Sequence, residues 1–295
     1  MTNNCSSVFL SLLLLGSMSR LIGAAENPVV TEISPTLLVF ATNSGNVIAS
    51  VGADGVLLVG TPSADSTAAI AELLATRTQS PLRYVVIAPE DLGHSEGDAG
   101  WGRRGAFVAM QENALERLGG HAMGPPRPLP AALVKLGVDR PRIAFSEVLT
   151  FDLNGEAIHV VHQAAAYSNA DSIVHFHVAN LVYLGEVFPG DGYPKIDPAQ
   201  GGDLDGLTKM LSAWAGGSRK VVPARGKVMN SADIQQFRDM IVTVRARVQQ
   251  MVNAGRSEDE VQAAHPSAEF DAMWGNGRVS ASQFVSELYS GVKKH

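Results

Sequence analysis

The chain has 295 residues, of which 45% are hydrophobic and 18% are charged. These proportions are typical of a globular protein with a sizeable core. A formal net charge of −6, with no cluster of Lys and Arg interleaved with aromatic residues, argues against a nucleic-acid-binding surface. The single cysteine, Cys5, lies in the N-terminal segment, so the remainder of the chain has neither disulfide nor thiolate chemistry.

The N-terminal 25 residues have the pattern of a secretory signal peptide. Residues 8–15 form an apolar core that is too short to span a bilayer, and Gly23, Ala24 and Ala25 offer small residues for cleavage before Glu26. We therefore predict a secreted or periplasmic protein with no membrane span after cleavage. Because residues 1–7 contain no Lys or Arg, a short N-terminal anchor or a misplaced start codon stays open as an alternative.

Residues 26–295 are expected to form one domain of layered α/β type. Short apolar or β-branched runs bounded by Gly, Pro, Asn or Asp predict strands at residues 56–59, 82–87, 106–110, 158–161, 173–176, 181–184 and 220–222. Helical segments lie between several of them, and Asp65 is the predicted N-cap of the first. This alternation favours sheets covered by helices.

From about residue 230 the pattern becomes helical. Apolar residues spaced three or four apart predict one long amphipathic helix, at Ile234, Phe237, Ile241, Val244, Val248 and Met251. Ser231 is its predicted N-cap and Gly255 its predicted end. Ser257 and Glu260 predict a capping box for the next helix, and a final helix is expected over residues 284–289.

The strongest functional signal follows the strand at 82–87, where residues 88–98 read Ala-Pro-Glu-Asp-Leu-Gly-His-Ser-Glu-Gly-Asp. This segment resembles the metal-binding loop of the metallo-β-lactamase superfamily, Thr-His-x-His-x-Asp-His. His94 keeps a ligand of the family's type. Pro89, Asp91 and Gly93 stand where the family has its first His, second His and Asp.

Other landmarks of that superfamily occur in the same order. Residues 45–61 are similar to its opening hairpin, with Gly60 replacing an Asp, and residues 105–113 are similar to its strand followed by a helix beginning at a Glu-Asn pair. The resemblance covers roughly residues 30–290. It implies a four-layer αββα sandwich of two mixed sheets with outer helices and a C-terminal helical extension, and with the site at one edge of the sheets.

Three further ligand positions can be placed by the same resemblance. Tyr167 stands at the third His, Glu186 at the bridging Asp that ends a strand, and Arg225 at the last His, in a turn reading Val-Val-Pro-Ala-Arg-Gly. The resemblance implies that these residues gather with Asp91 and His94 at the sheet edge.

This set of residues disfavours zinc. Catalytic zinc needs about three protein ligands and an open position, which Asp91, His94 and Glu186 could only just supply. Arg225 stays protonated and would repel a dication, but it can pair with Glu186 or Asp91 instead. We therefore predict no metal or other cofactor, and an exported protein that has lost hydrolytic activity, whose cleft is vacant, structural or binds an unidentified small ligand.

Three alternatives stay open. The protein could be an active hydrolase of the same superfamily, using either one metal on Asp91, His94 and Glu186 or metal-free chemistry with His94 as base. It could be a protein-binding module, through the Pro-x-x-Pro pattern of residues 125–130. Finally, His175 and His177, two residues apart on one strand face, could clamp a metal.

Overall fold

A computed structural model describes residues 27–60, 63–87, 101–102, 104–117 and 143–293. The predicted signal peptide, the loop at 88–98 and the Pro-rich segment at 125–130 lie outside these residues. Among the described helices, none combines the length and apolar character needed to cross a membrane.

The first sheet has seven strands that follow one another in chain order. They are β1 (Val29–Ser34), β2 (Leu37–Ala41), β3 (Asn46–Gly52), β4 (Gly55–Val59), β5 (Leu82–Val86), β6 (Phe107–Gln111) and β7 (Ile143–Phe145). Strands β1 to β4 pair antiparallel through short turns, whereas β4 to β7 pair parallel. Parallel neighbours need a crossover, and helix α1 (Ala64–Arg77) supplies the one between β4 and β5.

The second sheet has six strands in the order β13-β12-β11-β10-β9-β8. They are β8 (Val148–Leu153), β9 (Glu156–Gln163), β10 (Asp171–Phe176), β11 (Leu181–Gly185), β12 (Lys220–Pro223) and β13 (Met229–Asn230). Strands β11 and β12 are parallel, and helix α3 (Leu204–Trp214) lies between them in the chain. Helix α2 (Glu112–Arg117) follows β6 directly.

The two sheets pack face to face. The side chains of β4 alternate between the two faces of the first sheet, because successive side chains of a strand point to opposite faces. Leu57 and Val59 meet Val174 and Phe176 of the second sheet, whereas Val56 and Leu58 contact the layer that contains α1.

Helices cover the outer face of the second sheet. They are α3, α4 (Ser231–Asn253), α5 (Glu258–Ala263), α6 (Asp271–Trp274) and α7 (Ala281–Val292). Their apolar faces share one core with β10, β11 and β12. The predicted four-layer αββα sandwich with a helical C-terminal part is therefore confirmed, as are all seven predicted strands.

Two predicted N-caps are wrong. Ser63, and not Asp65, accepts a hydrogen bond from the Ser66 amide at the start of α1. Asn230, and not Ser231, caps α4 and forms a capping box with Asp233. In each case a second side chain able to accept the hydrogen bond lies within two residues, and backbone position decides which one caps the helix.

Two other helix boundaries are confirmed. The capping box of Ser257 and Glu260 is present at the start of α5. Gly255 follows the end of α4 with φ of 78°, a left-handed conformation that glycine adopts without strain.

Candidate functional site

Glu186 and Arg225 meet at the edge where β11 and β12 end. Glu186 directly follows β11, and Arg225 lies two residues beyond β12. The two strands are parallel, with Gly185 opposite Pro223, so both chains leave the sheet on the same side. The pairing of the strands therefore brings the two charged residues together.

Arg225 is held by two carboxylates. Its two terminal nitrogens, Nη1 and Nη2, each donate to one oxygen of Glu186, Nη2 at 3.0 Å from Oε2, and Nε donates to Oδ2 of Asp191 at 2.8 Å. The residue is only 7% exposed. Burial lowers the pKa of Arg225, but the hydrogen bonds and charges of Glu186 and Asp191 outweigh burial and hold it above its ordinary value. Arg225 is therefore a fixed cation in this cluster.

A second cation lies at the rim. Nη1 of Arg278 is 3.6 Å from Oε1 of Glu186, and the Arg278 side chain is 52% exposed. Glu186 thus faces two guanidinium groups, one buried and one in contact with solvent. Asp191 keeps one oxygen, Oδ1, buried without a hydrogen bond from the described residues.

Asn46 of the first sheet fixes the turn that carries Arg225. Its amide nitrogen Nδ2 donates to the carbonyl oxygens of Pro223 and Gly226 at 2.9 and 3.0 Å, and its backbone N donates to the carbonyl of Ala224 at 2.7 Å. Asn46 is 2% exposed. Because a buried carbonyl without a partner is costly, this one side chain holds the turn against the other sheet.

The loop after β11 packs against the same turn. The backbone amides of Ala224 and Arg225 donate to the carbonyls of Phe188 and Pro189. Gly190, at φ of 84°, lies so close that an added Cβ would be 2.4 Å from the Arg225 carbonyl oxygen. The Arg225 turn is thus enclosed on two sides by backbone contacts.

Gly60, which replaces the family's Asp, has no room for a side chain. Its φ is 89°, and a Cβ there would lie 2.7 Å from the carbonyl oxygen of Asn46 and 3.4 Å from the hydroxyl of Tyr183. The same Asn46 that holds the Arg225 turn therefore also requires glycine at this position.

Tyr167 makes its described contacts with a different set of residues. Its carbonyl accepts from the amide of Asp197, and Nζ of Lys195 lies 5.8 Å from its ring centre. The expectation that Tyr167 joins Glu186 and Arg225 stays a prediction. Pro89, Asp91, Gly93 and His94 lie outside the described residues.

Asp171 is a buried acid near Tyr167 that the sequence interpretation missed. It is 1% exposed and accepts from the amide and hydroxyl of Ser168 at 2.9 and 2.7 Å. Burial raises its pKa to about 6, against the opposing hydrogen bonds of Ser168 and Tyr167 and the charge of Arg117. Its position, three residues after Ser168 at the start of a strand, was the available signal, since Ser and Asp commonly bond locally at such turns.

Asp191 and Asn46 were also missed. Asp191 lies in an irregular loop outside the segments that carry the resemblance. Asn46 lies at the start of β3, within the segment similar to the opening hairpin, but at a position to which the resemblance assigns no ligand. Only the tertiary contacts mark these two residues as parts of the Arg225 cluster.

His175 and His177 lie together and are joined by His159 from β9. Nε2 of His177 is 3.0 Å from Nδ1 of His159, and the ring centres of His175 and His177 are 4.1 Å apart. Across the described residues, no group of three or more His, Cys, Asp or Glu side chains is arranged to hold a metal ion. The described residues therefore give no support to the alternative that His175 and His177 bind a metal together.

Among the described residues, those that stand at the expected metal position are unsuited to binding a divalent cation. Both oxygens of Glu186 are bound by Arg225, which has no lone pair to donate, and Arg278 adds a second positive charge. A metal on Glu186 would have to break a buried bidentate pair.

Comparison with solved structures identifies the fold. The stereoselective inverting sec-alkylsulfatase Pisa1 from Pseudomonas sp. matches with a TM-score of 0.64 and 16% identity, over 89% of this chain and 50% of that one. The metallo-β-lactamase from Pontibacter korlensis matches with a TM-score of 0.55 and 13% identity, over 72% of this chain and 99% of that one. DIM-1 metallo-β-lactamase matches with a TM-score of 0.55 and 10% identity, over 72% of this chain and 96% of that one.

The chain therefore has the metallo-β-lactamase fold. It spans about half the length of the alkylsulfatase that it matches. No protein-family model matches the sequence, and no curated protein matches it either.

Proposed function

We propose that this protein is a metallo-β-lactamase-fold protein without zinc-dependent hydrolytic activity, in which a salt-bridge cluster takes the place of the metal centre. The observation that carries this proposal is the bidentate pairing of Arg225 with Glu186. Glu186 is the acid that the resemblance assigns to metal bridging, and it is fully engaged by a cation of the same chain.

Electrostatics supports the same conclusion. Two carboxylates, Glu186 and Asp191, face two guanidinium groups, those of Arg225 and Arg278, so the negative charge that would attract zinc is largely compensated. Bidentate pairs between arginine and carboxylate are among the stronger hydrogen-bonded contacts in proteins. The cluster can therefore stabilise the cleft without a metal.

The competing function is hydrolysis with a reduced site formed by Asp91, His94 and Glu186. It requires Glu186 to leave Arg225, or the metal to bind without Glu186. The two functions differ in metal content and in the effect of removing His94.

Metal content tests the proposal directly. The untagged mature protein is incubated with zinc, dialysed and measured by inductively coupled plasma mass spectrometry. We expect far less than one zinc per chain and no turnover on a panel of β-lactams, lactones, thioesters, phosphoesters and sulfate esters. About one retained ion per chain, together with a turnover that His94→Ala abolishes, would overturn the proposal in favour of the reduced-site hydrolase.

We also propose export, on the basis of residues 1–25 alone. Expression of the full chain followed by N-terminal sequencing of protein from the periplasm or medium is expected to yield Glu26 as the first residue. Intact Met1 in protein that stays in the cytoplasm would contradict this.

A further inference from the structure

A cavity lies within the helical layer, lined by none of the residues of the Arg225 cluster. Its volume is about 300 Å³, at the lower end of the range for small-molecule sites. The segment before α3, the N-terminal turn of α3, Arg245 of α4 and the greater part of α7 line it. The cavity is thus bounded by three different parts of the chain.

Most of the cavity wall is apolar. The side chains that form it are Ile196, Leu204, Phe284, Leu288 and Val292. Phe284 is fixed by stacking on Tyr193, with ring centres 4.7 Å apart. The wall therefore suits a short hydrocarbon chain, whose burial is favourable in proportion to its area.

The charged side chains that line the cavity differ in how completely hydrogen bonds from the protein satisfy them. Arg245 donates to both oxygens of Asp205, and Asp203 accepts from the Gly206 amide as the N-cap of α3. Glu287, in contrast, has one oxygen, Oε2, that is buried without a hydrogen bond from the described residues. A buried acceptor without a donor costs free energy that a donor from a ligand would recover.

We propose that this cavity binds a small amphipathic amine, with its alkyl chain against Phe284 and Leu288 and its ammonium group on the carboxylate of Glu287. An ammonium supplies a positive charge beside Glu287 and N–H donors for its oxygen Oε2, which accepts no hydrogen bond from the described residues. Glu287 is itself one of the residues that line the cavity. The neighbouring cation Arg245 is occupied by Asp205 and does not compete for Glu287.

The ionisation of Glu287 gives the site a pH dependence. Burial raises the pKa of Glu287 to about 7, against a hydrogen bond from the Ile196 amide and the charge of Lys195. The other charged groups that line the cavity are Asp203, Asp205 and Arg245. Because the ionised carboxylate binds the ammonium, affinity is expected to rise as pH increases from about 6 to about 8.

Isothermal titration calorimetry with n-octylamine, 1-octanol and octanoate tests the proposal, because the three compounds share one alkyl chain. We expect the amine to bind about tenfold or more tighter than the alcohol, and octanoate to bind weakest. Glu287→Gln is expected to remove both this preference and the rise with pH. Octanoate binding as tightly as the amine would overturn the proposal.

Two substitutions at Gly291 of α7 test whether the amine binds in this cavity. It lines the cavity, and an added Cβ there would meet nothing within 4 Å. Gly291→Leu is expected to fill the cavity and abolish amine binding, whereas Gly291→Ala is too small to do so and should bind like the unmodified chain. Both should keep or raise the melting temperature, because glycine is a poor helix former. Absence of amine binding to the unmodified chain, or equal binding by the Leu variant, would refute the site.

Discussion

Arg225 donates to both carboxylate oxygens of Glu186 across a separation of 39 residues in the chain. The contact exists because β11 and β12 are parallel neighbours and each residue follows the end of its strand. Asn46 then ties the Arg225 turn to the first sheet. The cluster is therefore built by both sheets, and its stability should depend on more than one pair of charges.

Removing the buried cation should destabilise the fold strongly. Arg225→Met removes the cation that joins Glu186 and Asp191 and leaves Glu186 only its contact with the half-exposed Arg278, and breaking a buried pair in this way costs about 3–5 kcal/mol. The matched control is Arg278→Met, which removes a largely exposed cation from the same Glu186 and should cost no more than about 1 kcal/mol. Urea unfolding of both variants at neutral pH measures the difference, and equal free energies of unfolding would show that Arg225 is not the structural centre.

Restoring the family's histidine should not restore a metal site. Arg225→His returns one ligand and removes the guanidinium, but Pro89, Asp91 and Tyr167 still stand where the family has histidines. Among the described residues, the new His and Glu186 alone fall short of the three protein ligands of a catalytic zinc. We expect zinc affinity to rise by less than about tenfold relative to the unmodified chain, because a single weakly oriented ligand adds little. Zinc titration by calorimetry checks this, with Arg278→His as the control at the rim. A tightly held, stoichiometric zinc in Arg225→His would mean that residues 88–98 still supply a working set of ligands.

Two glycines with nearly the same positive φ allow the effect of crowding to be separated from that of backbone strain. Gly60 and Gly105 have φ of 89° and 88°, but a Cβ at Gly60 would lie 2.7 Å from the Asn46 carbonyl oxygen, whereas one at Gly105 meets nothing within 4 Å. Gly105→Ala should cost about 1–2 kcal/mol from the left-handed backbone alone. Gly60→Ala should cost clearly more, and Gly60→Asp, which restores the family's residue, at least as much. The free energies of unfolding of the two Ala variants would coincide if crowding at Asn46 had no effect.

Much of the fold could be predicted from the sequence because its signals are local. The strand at residues 181–184 and the stripe of apolar residues in α4 follow directly from side-chain periodicity. The N-caps of α1 and α4 could not, since Ser63 competes with Asp65 and Asn230 with Ser231, and the choice depends on where the chain enters the helix.

The site was less predictable because it depends on tertiary contacts. Glu186 and Arg225 were found through the resemblance, and the pairing that the sequence analysis foresaw for them is present. Asp191 contacts Arg225 from an irregular loop, and Asn46 contacts its turn from another sheet. Neither contact has a local sequence signal, so only the packing of the two sheets shows that these residues belong together.

The cluster of His159 on β9, His175 on β10 and His177 just after β10 should make the protein sensitive to mild acid. Burial, followed by the nearby His177, Arg219 and His159, lowers the pKa of His175 from 6.5 to about 4. Between these values the unfolded chain binds a proton that the folded chain does not, so stability falls as pH decreases from about 6.5 to about 4. His175→Gln should flatten this part of the profile of melting temperature against pH, and His177→Gln should flatten it less, because it removes only a neighbouring charge. Parallel profiles for the unmodified chain and His175→Gln would show that His175 does not contribute to the loss of stability in acid.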